Sequence, residues 1–168
     1  MKLCIGSGSW HWGGDWIMLD GDTDNHPDVV ATVPPLPDAI KVMRFDFILM
    51  SHFVEHLTRQ DALILIKECY EILDEGGVIE FDQPNMDYCC RVYLGYIDPP
   101  EGYSREQMGI QGIYGEPYVH PLMGHKYGYT PETLTKLVVE AGFNQDGIMI
   151  EQGHYHIPIR DFTLVAIK

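Results

Sequence analysis

Two imidazoles and a carboxylate fall close together at His52, Glu55 and His56, in the run Ser51-His52-Phe53-Val54-Glu55-His56. A histidine titrates near neutral pH and can take the proton of a hydroxyl or ammonium nucleophile. His52 and His56, with His120 and His125 further on, are therefore the candidate bases. His52 heads the list, because it follows an apolar run at the point where open α/β sheets place their ligands. The spacing His-x-x-Glu-His also matches the inverted zinc-peptidase motif, which needs both histidines on one continuous helix. Here it directly follows the apolar run Phe45 to Met50, and helical pattern begins only at Thr58, which argues against a peptidase.

A second constellation lies at the other end. Gly6-Ser7-Gly8 ends the apolar run Leu3-Cys4-Ile5, and Asp20 ends a second run, Trp16 to Leu19. Glycines after a buried strand let backbone approach a ligand, and an acid at the tip of the next strand accepts hydrogen bonds from a ribose diol. Asp20 follows Gly6 by 14 residues, fewer than the roughly 20 of NAD-binding units. The third glycine of such units is missing, and nothing between Ser7 and Asp15 has helical period. Without that helix no N-terminal dipole faces a pyrophosphate. The pattern suits a nucleoside that carries no phosphate.

The elements that position these groups alternate. Short strands are expected at Leu3 to Ile5, Trp16 to Leu19 and Asp28 to Ala31, and a buried parallel strand at Phe45 to Met50. A helix starts at the cap Thr58 with Asp61, buries Ala62, Leu63, Ile66, Cys69, Tyr70 and Leu73, and is expected to stop at Gly76-Gly77. A strand follows at Val78 to Asp82, and a short helix at about Met86 to Leu94. Residues 96 to 129 hold six of the ten tyrosines and six glycines without clear period, which reads as an irregular binding loop whose tyrosines either wall a pocket or pack the loop. Thr130-Pro131 caps a last helix that Gly142 stops. Ile148 to Ile150 and Phe162 to Ile167 are expected as an antiparallel pair at the sheet edge. The whole is a single doubly wound α/β domain over residues 1–168.

Composition narrows the function classes. The net charge of −14 argues against nucleic acid, which needs clustered Lys and Arg, and against anionic membranes. Cys4, Cys69, Cys89 and Cys90 show no Cys-x-x-Cys spacing and read as reduced thiols. No charged-then-apolar leader and no apolar run near 18 residues is found, so a cytoplasmic protein is expected.

Leu3 to Gly8, Trp16 to Asp20, Asp28 to Ala31 with Leu36-Pro37, Phe45-Asp46 through Glu55-His56-Leu57, Leu73 to Gly77, and Gly128 to Phe143 occur in an order and spacing that span nearly the whole chain. In this the sequence resembles the class I S-adenosylmethionine-dependent methyltransferases of the small type 11 kind. The resemblance implies a Rossmann-like seven-stranded sheet with the last strand antiparallel, and S-adenosylmethionine as cofactor. It implies that Gly6, Ser7 and Gly8 cradle the methionine part, that Asp20 holds the ribose hydroxyls, and that Ser51 and His52 sit beside the transferable methyl. His52 and His125 are the expected catalytic residues.

Three features depart from the family pattern. Helices before the first strand are absent, and the first crossover helix is replaced by the loop Trp10-His11-Trp12-Gly13-Gly14. These two leave a sheet face less covered, which invites a homodimer, although Trp10 and Trp12 could bury that face or cover the cofactor. Thr32 stands where many relatives carry an acid for the adenine amino group, leaving that contact to backbone or to Asp28. Some methyltransferases of the superfamily hold a metal at a Glu-x-x-Glu-His site, where this chain has His52, Glu55 and His56, with His120 or His125 in reach. No metal is expected here, since Glu55-His56 also occurs in relatives without one. The expected activity is methyl transfer to an O or N atom of a small molecule, a sugar or sugar nucleotide being the favoured acceptor. The alternative is a non-catalytic cofactor-binding or assembly domain.

Overall fold

The structure is a computed structural model that describes residues 1–168. One sheet contains β1 (Lys2–Ile5), β2 (Trp16–Asp20), β3 (Val29–Val30), β4 (Phe45–Ser51), β5 (Leu73–Pro84), β6 (Ile148–Gln152) and β7 (Asp161–Ile167). Their order is β3-β2-β1-β4-β5-β7-β6. β7 runs antiparallel to both β5 and β6, and the other strands point one way. This is the predicted sheet with its last strand antiparallel, and β6 and β7 form the expected antiparallel pair at its edge. β7 lies inside the sheet and only β6 is at the edge. The burial explains it: Phe162, Thr163, Leu164 and Ala166 of β7 are buried on both faces, whereas β6 is largely exposed.

Five helices flank the strands: α1 (Asp38–Lys41), α2 (Arg59–Ile72), α3 (Met86–Tyr93), α4 (Gln111–Tyr114) and α5 (Pro131–Ala141). On one face Leu65 and Ile66 of α2 and Leu134 and Leu137 of α5 pack with Leu3, Ile48, Ile79 and Leu164 in a single core. Each such side chain contributes about 1.5–3 kcal/mol by leaving water. The Thr58 hydroxyl accepts the Asp61 N–H at 3.1 Å and starts α2 as predicted. The end of α2 is a correction. It stops at Ile72, because Leu73 is already extended and paired with Phe45, and Gly76-Gly77 lie in a kink where β5 shifts register before Val78 meets Phe47. The Thr130 capping box, Pro131 at the first turn and the Gly142 stop are all in place.

The opposite face carries no crossover helix between β1 and β2, as the sequence predicts. Trp10, Trp12, Trp16, Phe47 and Tyr155 pack there over Cys4, Met18 and Leu49. Trp12 meets Trp16 edge-on at 4.5 Å and Trp10 at 5.3 Å, in the tilted geometries that aromatic pairs favour. Of the two roles expected for Trp10 and Trp12, they take the burial of this helix-free face, as part of an aromatic layer. The Asp28 carboxylate accepts the Met18 N–H at 2.8 Å, tying the start of β3 to β2, and it is not among the residues that line the cleft described below.

The segment 96–129 is less irregular than predicted. A π-turn at Glu106–Ile110 runs directly into α4. It lies against α3 because two glycines permit close approach. A Cβ on Gly109 would sit 3.1 Å from the Tyr93 nitrogen, and one on Gly112 would run into the Cys89 sulfur. Beyond α4 the chain doubles back, with Glu116 N–H donating to Met123 O at 2.9 Å and His125 N–H to Tyr114 O at 3.0 Å.

Candidate functional site

β1 and β2 end side by side at the carboxyl edge of the sheet, where α/β folds bind ligands. Gly6 turns the chain there at φ +71°, and a Cβ on it would lie 2.9 Å from the Phe53 Cβ and closer to its ring. Gly8, at φ +53°, has no atom within 4 Å of where a Cβ would stand and faces open space. Asp20 clasps this turn. One carboxylate oxygen accepts the Gly8 N–H at 2.8 Å, and the other accepts the Asp22 N–H at 2.8 Å and the Asn25 amide at 3.3 Å. Ser7 and Ser51 are buried beside it, and the Ser51 hydroxyl has no partner. Gly6, Ser7, Gly8, Asp20, Ser51 and His52 all line one cleft of about 920 Å³, at the upper end of the roughly 300–1,000 Å³ of small-molecule sites.

His52 leaves β4 at φ +48°, a left-handed conformation costly for a side chain of its size and common at functional sites. Its backbone N–H donates to Asp82 O at 2.7 Å, its Nε2 lies 3.0 Å from an Asp161 oxygen, and its Nδ1 lies 3.4 Å from Glu55. Asp161 is itself bound by Arg160 and by the Ile157 N–H. Burial alone would lower the His52 pKa. The Asp161 hydrogen bond and the charges of Glu55 and Asp161 outweigh burial and raise it. His156 behaves oppositely. Burial first, then the His52 charge, lowers its pKa. Its ring is 4.1 Å from His52 and stacks on Trp10 at 5.4 Å. The sequence reading missed His156, because His154-Tyr155-His156 resembles a linker between strands.

Val54–His56 forms a single turn, and extended Leu57 and Thr58 separate it from α2. The continuous helix that an inverted peptidase motif needs is absent. The Glu55 carbonyl accepts Lys126 N–H at 2.8 Å and Tyr127 N–H at 3.1 Å, which moors the far end of the insertion to this turn. The mooring sets His125 beside His56, with ring centroids 4.9 Å apart. Burial lowers the His125 pKa. His120 lines the same cleft, but its Nδ1 accepts the Leu122 N–H within its own loop. Gln111, Glu116, His120, Leu122, Met123 and His125 form the roof. The tyrosines do not wall the cleft: Tyr96, Tyr114 and Tyr118 are exposed, and Tyr129 is in the core.

No protein-family model matches the sequence, and no curated protein matches it either. Similarity appears in solved structures. A S-adenosylmethionine-dependent methyltransferase from Archaeoglobus fulgidus superposes with a TM-score of 0.66 at 18% identity, over 99% of this chain and 85% of its own. A S-adenosylmethionine-dependent methyltransferase from Clostridium acetobutylicum gives 0.62 at 12% identity, over 99% and 82%. A possible histamine N-methyltransferase from Thermotoga maritima gives 0.61 at 15% identity, over 99% and 81%. Strand order, the reversed β7 and the end-to-end superposition agree, and the chain has the fold of the class I S-adenosylmethionine-dependent methyltransferases.

Proposed function

We propose that the protein transfers a methyl group from S-adenosylmethionine to an O or N atom of a small-molecule acceptor. The observation that carries this reading is one cleft, in this fold, with the Asp20-clasped glycine turn at one end and a histidine cluster at the other. The residues present fit the cofactor. Gly8 leaves the space a ligand backbone would fill, Ser51 offers an unpartnered hydroxyl, and Asp20 presents a fixed carboxylate to a ribose diol. When bound, the cofactor supplies an electrophilic methyl on a sulfonium; a C–O or C–N bond forms, the C–S bond breaks, and the acceptor loses its proton.

The chain's own residues hold the acceptor and take that proton. His156, whose pKa is lowered by burial and then by the neighbouring His52, is suited to accept it. His52, hydrogen-bonded to Asp161 and with its pKa raised against the effect of burial, orients its neighbour. His125 faces the acceptor from the roof. Most of the rate enhancement comes from positioning and from exclusion of water under that roof. Gln111, bonded to Glu116 at 3.0 Å, and Lys126 supply polar groups for a hydroxyl-rich acceptor such as a sugar or sugar nucleotide.

Isothermal titration with S-adenosylhomocysteine is the direct test. Micromolar binding that Asp20→Ala abolishes, with none for NAD, is the expected result. Absence of binding to the wild-type protein overturns the reading and leaves a non-catalytic domain of this fold.

A further inference from the structure

We propose that Glu55 is a positioning residue that acts on His156 through His52. With Asp161 it holds the His52 ring by both nitrogens as a doubly protonated imidazolium, and that fixed charge keeps the adjoining His156 ring in its proton-accepting form. The geometry at His52 is the starting point. Its Nε2 lies 3.0 Å from an Asp161 oxygen, and its Nδ1 lies 3.4 Å from a Glu55 oxygen. A neutral imidazole carries one N–H, so one of its two nitrogens would turn a lone pair toward a carboxylate. Two N–H groups suit both partners. The Glu55 contact is an ion pair rather than a tight hydrogen bond, and neither Glu55 oxygen has another donor. A carboxylate that is 2% exposed needs such compensation.

The charged groups around His52 act in the same direction. Asp82 of β5 brings Oδ1 to 3.8 Å from Nε2, and that oxygen has no hydrogen-bond partner. Its second oxygen accepts His154 N–H and the Thr163 hydroxyl. The Arg160 charge opposes protonation of His52, but its Nε and Nη2 are bonded to Asp161. His125 stands beyond Glu55 with His56, ring centroids 4.9 Å apart. Three buried carboxylates thus face one guanidinium, and a charged His52 brings the group nearer to neutrality. Burial is the largest influence on this ring and lowers its pKa; the Asp161 bond and the charges of Glu55 and Asp161 together overcome it.

Glu55 cannot withdraw its carboxylate easily. It lies in the turn Val54–His56, and its carbonyl accepts Lys126 N–H at 2.8 Å and Tyr127 N–H at 3.1 Å. The His156 ring is 4.1 Å from His52 and stacks on Trp10 at 5.4 Å. Two like charges so close are disfavoured, so a proton fixed on His52 keeps one off His156. Burial and then His52 lower the His156 pKa, against the pull of Asp161 and Asp82. The two rings divide the work: one stays charged and the other titrates. The catalytic consequence rests on the proposed methyl transfer, in which His156 takes the acceptor's proton at a pH where an isolated histidine is already partly protonated.

The test is a pH titration of the ring nitrogens by 15N NMR on the free protein, which needs neither cofactor nor acceptor. At pH 7 both His52 nitrogens are expected at protonated shifts, with His156 titrating below His52. Glu55→Gln should lower the His52 midpoint by about 1 unit or more and raise that of His156 by about 0.5–1 unit. Glu132→Gln, which removes an exposed partner of Lys136 on α5, should move neither. The backbone amide spectrum reports that each variant is folded. In turnover, the acidic limb of kcat should move to higher pH in Glu55→Gln with the His156 midpoint. A single tautomer of His52 in the wild type at pH 7, or a His156 midpoint that Glu55→Gln leaves in place, overturns the proposal. S-adenosylhomocysteine titration reports the cofactor reading alone, so the two can fail separately.

Discussion

Gly6→Ala tests whether the cradle is shaped by backbone conformation, by contact with Phe53, or by both. At φ +71° an alanine bears about 1–2 kcal/mol of left-handed strain. Its Cβ would also fall 2.9 Å from the Phe53 Cβ and nearer the ring, and such overpacking costs about 1–3 kcal/mol. The sum is about 2–5 kcal/mol, a large part of the roughly 5–15 kcal/mol that holds a domain folded. In a Phe53→Gly background the ring and the Cβ are both gone and only the backbone strain remains, so the same substitution should cost about 1–2 kcal/mol. Urea denaturation of the four proteins closes the cycle, and a positive coupling of about 1–3 kcal/mol is expected. An identical cost of Gly6→Ala in both backgrounds would refute the steric argument. Phe53 directly follows His52, so the single variant should also weaken S-adenosylhomocysteine binding.

Burial pushes the Cys4 and Cys89 thiols up to about 12, with the Asp20 charge adding at Cys4, and raises Cys69 as well. A raised pKa leaves less reactive thiolate at any given pH. Iodoacetamide at pH 8 should therefore modify only the half-buried Cys90 in the native protein and all four cysteines in urea, by mass spectrometry; fast labelling of a second site would contradict the packing. Trp12→Ala removes the centre of the aromatic layer. It should cost about 2–3 kcal/mol, below the 3–5 of a fully buried aromatic, with loss of near-ultraviolet dichroism. An unchanged midpoint would show that the layer contributes nothing to the face it covers.

Much of the glycine-turn end of the cleft was legible because it is local. Gly6, Gly8 and Asp20 sit at the ends of short apolar runs, and strand ends plus chirality determine where they meet. The helix starts at Thr58 and Thr130 were equally plain, since a cap acts within three residues. The acceptor end was not legible, because its contacts cross long stretches of chain. His52 meets Asp161 across 109 residues, and Glu55 meets Lys126 through a backbone bond that no side-chain pattern encodes. Gly109 and Gly112 read as breakers, although their lack of a Cβ is what allows a helical stretch to lie on α3. Gly76-Gly77 misled in the reverse sense, because tertiary pairing of Leu73 ended the helix first.

The placement of β7 bears on how the molecule comes into being. β6 has no neighbour other than β7, so that edge stays unpaired until residues 161–167 are available. A single domain folds as a unit, so this sheet closes only when the chain through residue 167 is available. The glycine turn and its Asp20 clasp lie near the amino terminus and Phe53 follows β4 closely, whereas the Asp161 carboxylate bonded to His52 comes with β7. The His52 ring therefore gains its Asp161 partner only with the last strand. Loss of residues 161–167 would strip β5 of one neighbour, β6 of its only one and His52 of Asp161 in a single event.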